Sequence, residues 1–119
     1  MEKQPFVVKR LGQTPPVDCP CGESRRLVTA ADNGLASIHR VSIHAEAKKH
    51  YHKKATEFYY ILSGSGEIEL DDERIPVEPG DVVMIPPYTR HVARGQFEIV
   101  NVICPPFDAA DEFFDEPEP

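Results

Sequence analysis

The run HYHKKATEFYYILSG, residues 50–64, is the part of the sequence that decides the fold. His50 and His52 are two residues apart, and residues two apart in a β-strand point to the same face. Glu57 follows after an odd spacing, which would place it on the opposite face of a continuous flat strand. Residues 53–56 are not strand-like, so a bend there would return Glu57 to the histidine face. The run therefore predicts two imidazoles and a carboxylate on one side of the chain.

His91 is the fourth member of this set, because it opens another predicted strand after the turn at Pro86 and Pro87. Three neutral imidazoles and one carboxylate suit a first-row divalent metal. Four protein ligands would leave an octahedral ion about two open positions for a substrate or dioxygen. We predict one divalent ion (Mn, Fe, Ni or Zn) on His50, His52, Glu57 and His91.

The rest of the chain predicts about eight short strands and no helical period. Twelve prolines and seven glycines mark frequent turns, with turn-rich segments at 12–23, 63–66 and 71–73. This pattern is typical of an antiparallel β-sandwich or barrel, and periodicity does not choose between them. The predicted strands cover residues 36–43, 57–62, 67–70, 74–77, 82–85, 91–93 and 97–104, and residues 6–8 and 27–29 could each form a further short strand.

The spacing of His50, His52, Glu57 and Gly64 resembles the first motif of the cupin superfamily in every ligand. The resemblance covers roughly residues 36–105 and suggests a small single-domain cupin. It implies an all-β jelly-roll barrel, also called a double-stranded β-helix, with the metal inside and often a homodimer.

The second cupin motif is similar but departs from the family at two positions. Gly80, Pro86 and His91 are in register. Tyr88 stands where a glycine is usual, although a bulky residue avoids positive φ. Gly95 stands where an asparagine is usual. Neither departure removes a predicted ligand.

We predict three parts of the chain from this resemblance. Residues 1–35 form an N-terminal extension with short strands packing on the barrel, and residues 36–106 form the cupin barrel. Residues 107–119 form an acidic tail expected to be mobile, which Phe107, Phe113 and Phe114 could pin in part to the barrel.

Charge and cysteine content limit the partners. The formal net charge is -7, and residues 108–119 carry six acidic and no basic residues, so the remainder is close to neutral. A broad basic surface for nucleic acid or an anionic membrane is not expected. No apolar run is long enough to span a membrane, and the N-terminus lacks a signal-peptide core. Three cysteines fit a reducing compartment, so we predict a cytoplasmic protein.

Two further residues are candidates for catalysis. Tyr59 shares a strand face with Glu57, so its phenol could hydrogen-bond a substrate or act as a base, or could simply be a wall residue. His39 shares a face with Val41 and Ile43, which allows an interior acid or base or a hydrogen-bonded structural histidine.

The remaining polar clusters give weaker signals. Cys19-Pro20-Cys21 lacks the Cys-x-x-Cys spacing, and with only Cys104 to help it does not predict a second metal site. Arg25 and Arg26 could bind a substrate anion at the barrel mouth, but a solvated surface is favoured. A solvated loop is likewise favoured over substrate steering for Lys48, Lys49, Lys53 and Lys54.

These observations predict a metal-dependent enzyme that acts on a small polar or acidic metabolite. A dioxygenase, an isomerase and a lyase all remain open, because one barrel hosts many reactions. The alternative is a non-catalytic cupin module that binds a small molecule or a sugar. A fused DNA-binding regulator has no room in 119 residues, and a storage protein fits least well.

Overall fold

Seven strands form the structure over residues 6–115, the part of the chain that the computed structural model describes. Every neighbouring pair is antiparallel, and the order is β1-β2-β3-β7-β4-β5 with β6 paired to β4. The predicted all-β jelly-roll barrel is confirmed. None of the described helices is long and apolar enough to cross a membrane. The strands are β1 Val17–Cys19, β2 Gly22–Val28, β3 Ser37–Ile43, β4 Thr56–Leu70, β5 Glu73–Val77, β6 Val82–Ile85 and β7 His91–Cys104, and short 3-10 turns lie at Leu11–Gln13 and Ala109–Asp111.

The two longest strands, β4 and β7, each continue through a predicted interruption. They pair from Thr56 opposite Cys104 to Leu70 opposite His91, so the predicted turn at 63–66 is wrong. The glycines there allow the strand to bend without ending. Gly64 has a φ of 88°, and a side chain on it would meet a backbone carbonyl of β7.

The N-terminal region is more regular than predicted. Residues 6–8 form no strand, whereas the segment predicted as a turn contains β1 and the start of β2. β2 pairs along its length with β3, so this part of the chain joins the sheet. β2 could not be predicted from an apolar pattern, because its inward positions, Ser24 and Arg26, are polar. They face a cavity and break the apolar alternation that marks a half-buried strand.

The interior is divided between an apolar core and a buried polar end. Ile61, Ile68, Ile85 and Ile99 are almost fully buried and lie in one cluster with Phe97. A separate buried set is polar or charged and comprises Ser24, Ser37, His39, His52, Glu57, His91 and Asp111. Burying such groups is costly unless they have partners, so this set locates the candidate site.

Part of the acidic C-terminal segment packs against the barrel. Tyr51 and Phe113 exchange both backbone hydrogen bonds, at 3.0 and 2.9 Å. The Asp111 carboxylate is buried and accepts hydrogen bonds from the backbone N–H groups of Lys53, Lys54 and Ala55. Residues up to Asp115 thus contact the barrel, and residues 116–119 of the predicted tail lie outside the described residues.

Candidate metal centre

Backbone pairing places His50 beside His91 at the start of β7. His50 and His91 form a β-bridge, with hydrogen bonds of 3.1 and 2.8 Å between their backbones. The bend after His52 is held by the Asp111 carboxylate, which binds three successive N–H groups. β4 then begins at Thr56 and directs Glu57 to the same interior. The predicted bend is present, and it returns Glu57 to the side of the histidines despite the odd spacing between His52 and Glu57.

The four predicted ligands are brought together. One ring nitrogen from each of His50, His52 and His91 lies within 4.8 Å of the other two. The Glu57 carboxylate lies against two of these rings, with Oε1 3.4 Å from His52 Nε2 and Oε2 3.2 Å from His91 Nε2. Glu57, His52 and His91 are buried, and His50 is partly buried.

The other ring nitrogen of each histidine is bound to the backbone. His50 Nδ1 lies 2.9 Å from the Lys48 carbonyl, His52 Nδ1 lies 2.6 Å from the Asp111 carbonyl, and His91 Nδ1 lies 2.9 Å from the Thr89 carbonyl. A carbonyl oxygen only accepts, so each Nδ1 donates a proton. In the neutral tautomer Nε2 then carries a lone pair, which is the state that binds a metal.

Several atoms that face the centre have no hydrogen-bond partner among residues 6–115. They are His52 Nε2, His91 Nε2 and Glu57 Oε2. Leaving a buried polar group unsatisfied costs about 1–3 kcal/mol. A cation between them would serve all of these atoms at once, and three imidazoles with a carboxylate suit a first-row divalent ion. The three histidines can therefore hold a metal ion, and the surrounding groups fit one.

The pKa values of the ligands show which of them carry a proton when no metal ion is bound. Burial and the neighbouring His91 lower the pKa of His50 to about 4. Burial opposes the charge on His52 as well, but the Glu57 carboxylate outweighs it and raises the pKa of His52 to about 9. Burial likewise opposes the charge on Glu57, yet His52 and His91 hold its pKa well below the usual range. A metal ion that binds His52 must therefore displace a proton from this imidazole.

Tyr88 keeps the backbone conformation of the glycine that it replaces. Its φ is 71°, in the region that a bulky residue avoids. Its N–H donates to the His52 carbonyl at 2.7 Å, and its ring stacks on Tyr51 with 6.1 Å between centroids. The Arg90 guanidinium lies 3.6 Å from the Tyr51 ring centroid. These contacts hold the turn that precedes His91.

The centre opens into a cavity of about 180 Å³ whose wall includes both candidate catalytic residues. Tyr59 is 8% exposed, and its ring lies edge-on to His91 with 6.4 Å between centroids. Burial, with the charge of Glu57, raises the pKa of Tyr59 well above 10, so the phenol stays protonated. Burial and the charge of Arg26 lower the pKa of His39 to about 4, so this imidazole is neutral at pH 7.

Sequence reasoning missed the polar residues on the opposite wall. The solvated surface favoured for Arg25 and Arg26 is wrong for Arg26, which lines the cavity with its guanidinium 5.0 Å from the Phe107 ring centroid. Arg25 points the other way and donates to the Leu11 and Thr14 carbonyls. Strand alternation along β2 would have separated the two arginines, had β2 been predicted.

The two N-terminal cysteines also line this cavity. Their Sγ atoms are 3.2 Å apart across the β1–β2 hairpin. The hydrogen bond between the two sulfurs lowers the pKa of Cys19 to about 6, and the same bond, with burial, raises the pKa of Cys21. Among the described residues the cluster with metal-binding geometry is the histidine set.

Residues 37–102 match the family model described as Cupin domain. The chain belongs to the cupin family. The crystal structure of a protein from Planctomyces limnophilus superimposes with a TM-score of 0.87 at 34% identity, over 93% of this chain and 97% of that one. L-ectoine synthase of Halomonas elongata is 36% identical over 69% of this chain and 61% of its own length. Glucose-6-phosphate isomerase of Thermococcus gammatolerans is 41% identical over 56% of this chain and 40% of its own. The cupin chain thus spans less than two thirds of either enzyme.

Proposed function

We propose that this cupin is a metal-dependent enzyme of the lyase or isomerase type that acts on a small polar or acidic metabolite. It would hold one first-row divalent ion (Mn, Fe, Ni or Zn) on His50, His52, Glu57 and His91. The observation that carries the proposal is the convergence of three Nδ1-anchored imidazoles and a buried carboxylate on one point. A bound ion would supply Lewis-acid chemistry at a substrate oxygen.

The wall residues support proton transfer. Asn101 on β7 pairs with His39 on β3 and with Tyr59 on β4, so the two candidate residues lie on either side of it. Tyr59 is a neutral phenol that can donate a proton, and His39 is a neutral imidazole that can accept one. Eliminations and isomerisations need such a donor and acceptor on two sides of a substrate. This pair favours them over oxygenation.

Two of the similar proteins support an enzyme rather than a binding module. One is named as a synthase and the other as an isomerase. A non-catalytic binding module would bind a ligand saturably without turnover, and a dioxygenase would consume oxygen. Measuring turnover and oxygen uptake of metal-loaded protein separates these two alternatives from a lyase or isomerase.

The oligomer that we propose is a homodimer. The outer faces of β3, β4 and β6 expose an apolar set that is unusual for a free surface, comprising Ile38, Tyr60, Val82 and Met84. Tyr60 on β4 lies opposite Val82 on β6, and Ile38 on β3 reaches them across β7, where its partner Val102 lies opposite Phe58 of β4. Together they form one patch.

The first test of the proposed function is metal content after chelation and reloading with each candidate ion. We expect about one ion per chain in the wild type and none in His52→Ala. His44→Ala is the matched control, because His44 is exposed and lies outside the cavity. A wild-type protein that takes up no ion, or a His52→Ala variant that keeps it, would refute the metal centre.

A further inference from the structure

Four adjacent strands contribute one row of polar side chains to the cavity wall. Arg26 on β2 is opposite His39 on β3, His39 is opposite Asn101 on β7, and Asn101 is opposite Tyr59 on β4. Directly opposed residues in antiparallel strands point to the same face, and all four line the cavity. Ser24 is two residues before Arg26 and lines the same wall.

Three atoms of this wall have no hydrogen-bond partner among residues 6–115. They are Arg26 Nε, Ser24 Oγ and Asn101 Oδ1. Ser24 is only 4% exposed, so its hydroxyl is well shielded from bulk water. Buried polar atoms normally have partners, and a group of them facing one space indicates a missing ligand.

The Arg26 guanidinium is held in place by an aromatic ring and not by a carboxylate of the described residues. It lies 5.0 Å from the Phe107 ring centroid, and Phe107 is fixed by a 2.7 Å hydrogen bond from its N–H to Ser37 Oγ. No carboxylate pairs with Arg26 within the described part of the chain, whereas Arg40 on the neighbouring strand pairs with Glu98. Stacking on an aromatic ring leaves the hydrogen-bonding edge of a guanidinium free for a planar anion.

We propose that Arg26, Ser24 and Asn101 form a subsite for a small carboxylate that carries a hydroxyl or amino group. The Arg26 Nε–H and the Ser24 hydroxyl would donate to the carboxylate. Asn101 Oδ1 would accept from the hydroxyl or amino group. One arginine and one hydroxyl match a monoanion better than a phosphate, and a cavity of about 180 Å³ limits the ligand to a few carbons.

This subsite deepens the proposed function, since it fixes the carboxylate end of a substrate whose other end would face the metal ligands. Tyr59 belongs to the row and also contacts His91, so it lies between the two ends. A hydroxy or amino acid held in this way would present its carbon chain between Tyr59 and His39. The subsite itself needs no metal ion, which allows the two proposals to be tested separately.

The test is binding of a panel of two- to five-carbon hydroxy- and amino-carboxylates to metal-free wild-type protein and to His52→Ala. The readout is the NMR signal of the ligand during titration with protein, which reports on every variant; in proteins that keep Arg26, the signal of its Nε–H, assigned by its absence from Arg26→Lys, is followed as well. Lactate, propanoate and lactamide form a matched set, because propanoate lacks the hydroxyl and lactamide lacks the charge. We expect at least one panel member to bind saturably in both proteins and its amide not to bind.

The variants then assign the contacts. Arg26→Met should weaken binding by about tenfold or more, the loss expected for one charge-assisted hydrogen bond. Asn101→Leu should reduce the preference for lactate-type over propanoate-type ligands, and Arg25→Met should bind as the wild type does. Arg26→Lys keeps the charge and should be intermediate, which separates a lost contact from a misfolded variant.

Three results would overturn the subsite. They are no binding by any panel member to the wild type, equal losses in Arg25→Met and Arg26→Met, and binding that disappears whenever the metal ligands are altered. Failure of the metal centre in the reloading experiment leaves these measurements unaffected.

Discussion

Replacing Asp111 with alanine should destabilise the protein and weaken the metal centre together. The Asp111 carboxylate accepts backbone N–H groups from Lys53 at 2.9 Å, Lys54 at 3.2 Å and Ala55 at 3.0 Å. The Asp111 carbonyl accepts from His52 Nδ1 at 2.6 Å. One residue thus holds both the bend between the ligands and the orientation of a ligand ring.

The size of the effect follows from burial. Hydrogen bonds to a charged group contribute about 1.5–3 kcal/mol each. Lys53 and Lys54 are exposed, so their N–H groups can turn to water in the variant, whereas Ala55 is buried and loses its partner. We therefore expect the free energy of unfolding to fall by about 2–4 kcal/mol. The variant keeps the backbone carbonyl of residue 111 but loses the carboxylate that anchors this carbonyl to the bend, so poorer support of His52 should weaken metal binding about 10–100-fold.

Urea unfolding of metal-free protein and competitive metal titration measure the two effects separately. At a slope near 2 kcal/mol/M the midpoint should fall by about 1–2 M. Asp115→Ala is the control, because Asp115 is an exposed partner of Arg90 and exposed ion pairs contribute little to stability. Equal midpoints for Asp111→Ala and Asp115→Ala would refute this reasoning.

Three further predictions concern protons, thiols and assembly. Since the pKa of His52 is raised to about 9, metal uptake at pH 7 should release about one proton and weaken as pH falls; calorimetry whose heat does not depend on the buffer would contradict this. The pKa of Cys19 is lowered to about 6, so its alkylation rate should level off above about pH 7, whereas in Cys21→Ala it should keep rising to about pH 8.5. A plateau that is unchanged in Cys21→Ala would remove the proposed thiol hydrogen bond. Met84 is 58% exposed in the apolar patch, so Met84→Glu should convert a homodimer to a monomer in light scattering; a variant that stays dimeric would show that the patch is not the interface.

The ligand set could be predicted from the sequence because it is local and chemically specific. His50, His52 and Glu57 lie within eight residues, and the bend that they require is visible as a stretch without strand character. The contribution of Asp111 could not be predicted, because its three hydrogen bonds cross more than 50 residues. The acidic composition of its segment suggested solvent exposure, and no pattern distinguishes one buried carboxylate from its neighbours.

The long strands show a different limit. Gly64 and Gly66 in a serine-glycine run indicate a turn by composition. Here they accommodate a bend inside β4, where Gly66 lies opposite Gly95. A side chain on Gly95 would come within 2.7 Å of the Gly66 Cα. These glycines are required because two strands approach each other closely. This approach depends on the tertiary structure and cannot be predicted from the local sequence.

The proposed subsite depends on the register of β2, which its own apolar pattern does not set. A shift by one residue would turn Arg26 outward and Arg25 inward, since side chains alternate along a strand. β2 carries polar residues at its inward positions, so burial alone resists such a shift weakly. Gly22 supplies the missing restraint: it lies opposite Ile43 with a φ of 146°, and a side chain there would collide with the Ser42 carbonyl. The register that places Arg26 in the cavity is therefore held by a glycine at the start of the strand, and the rest of β2 is free to carry polar residues for a ligand.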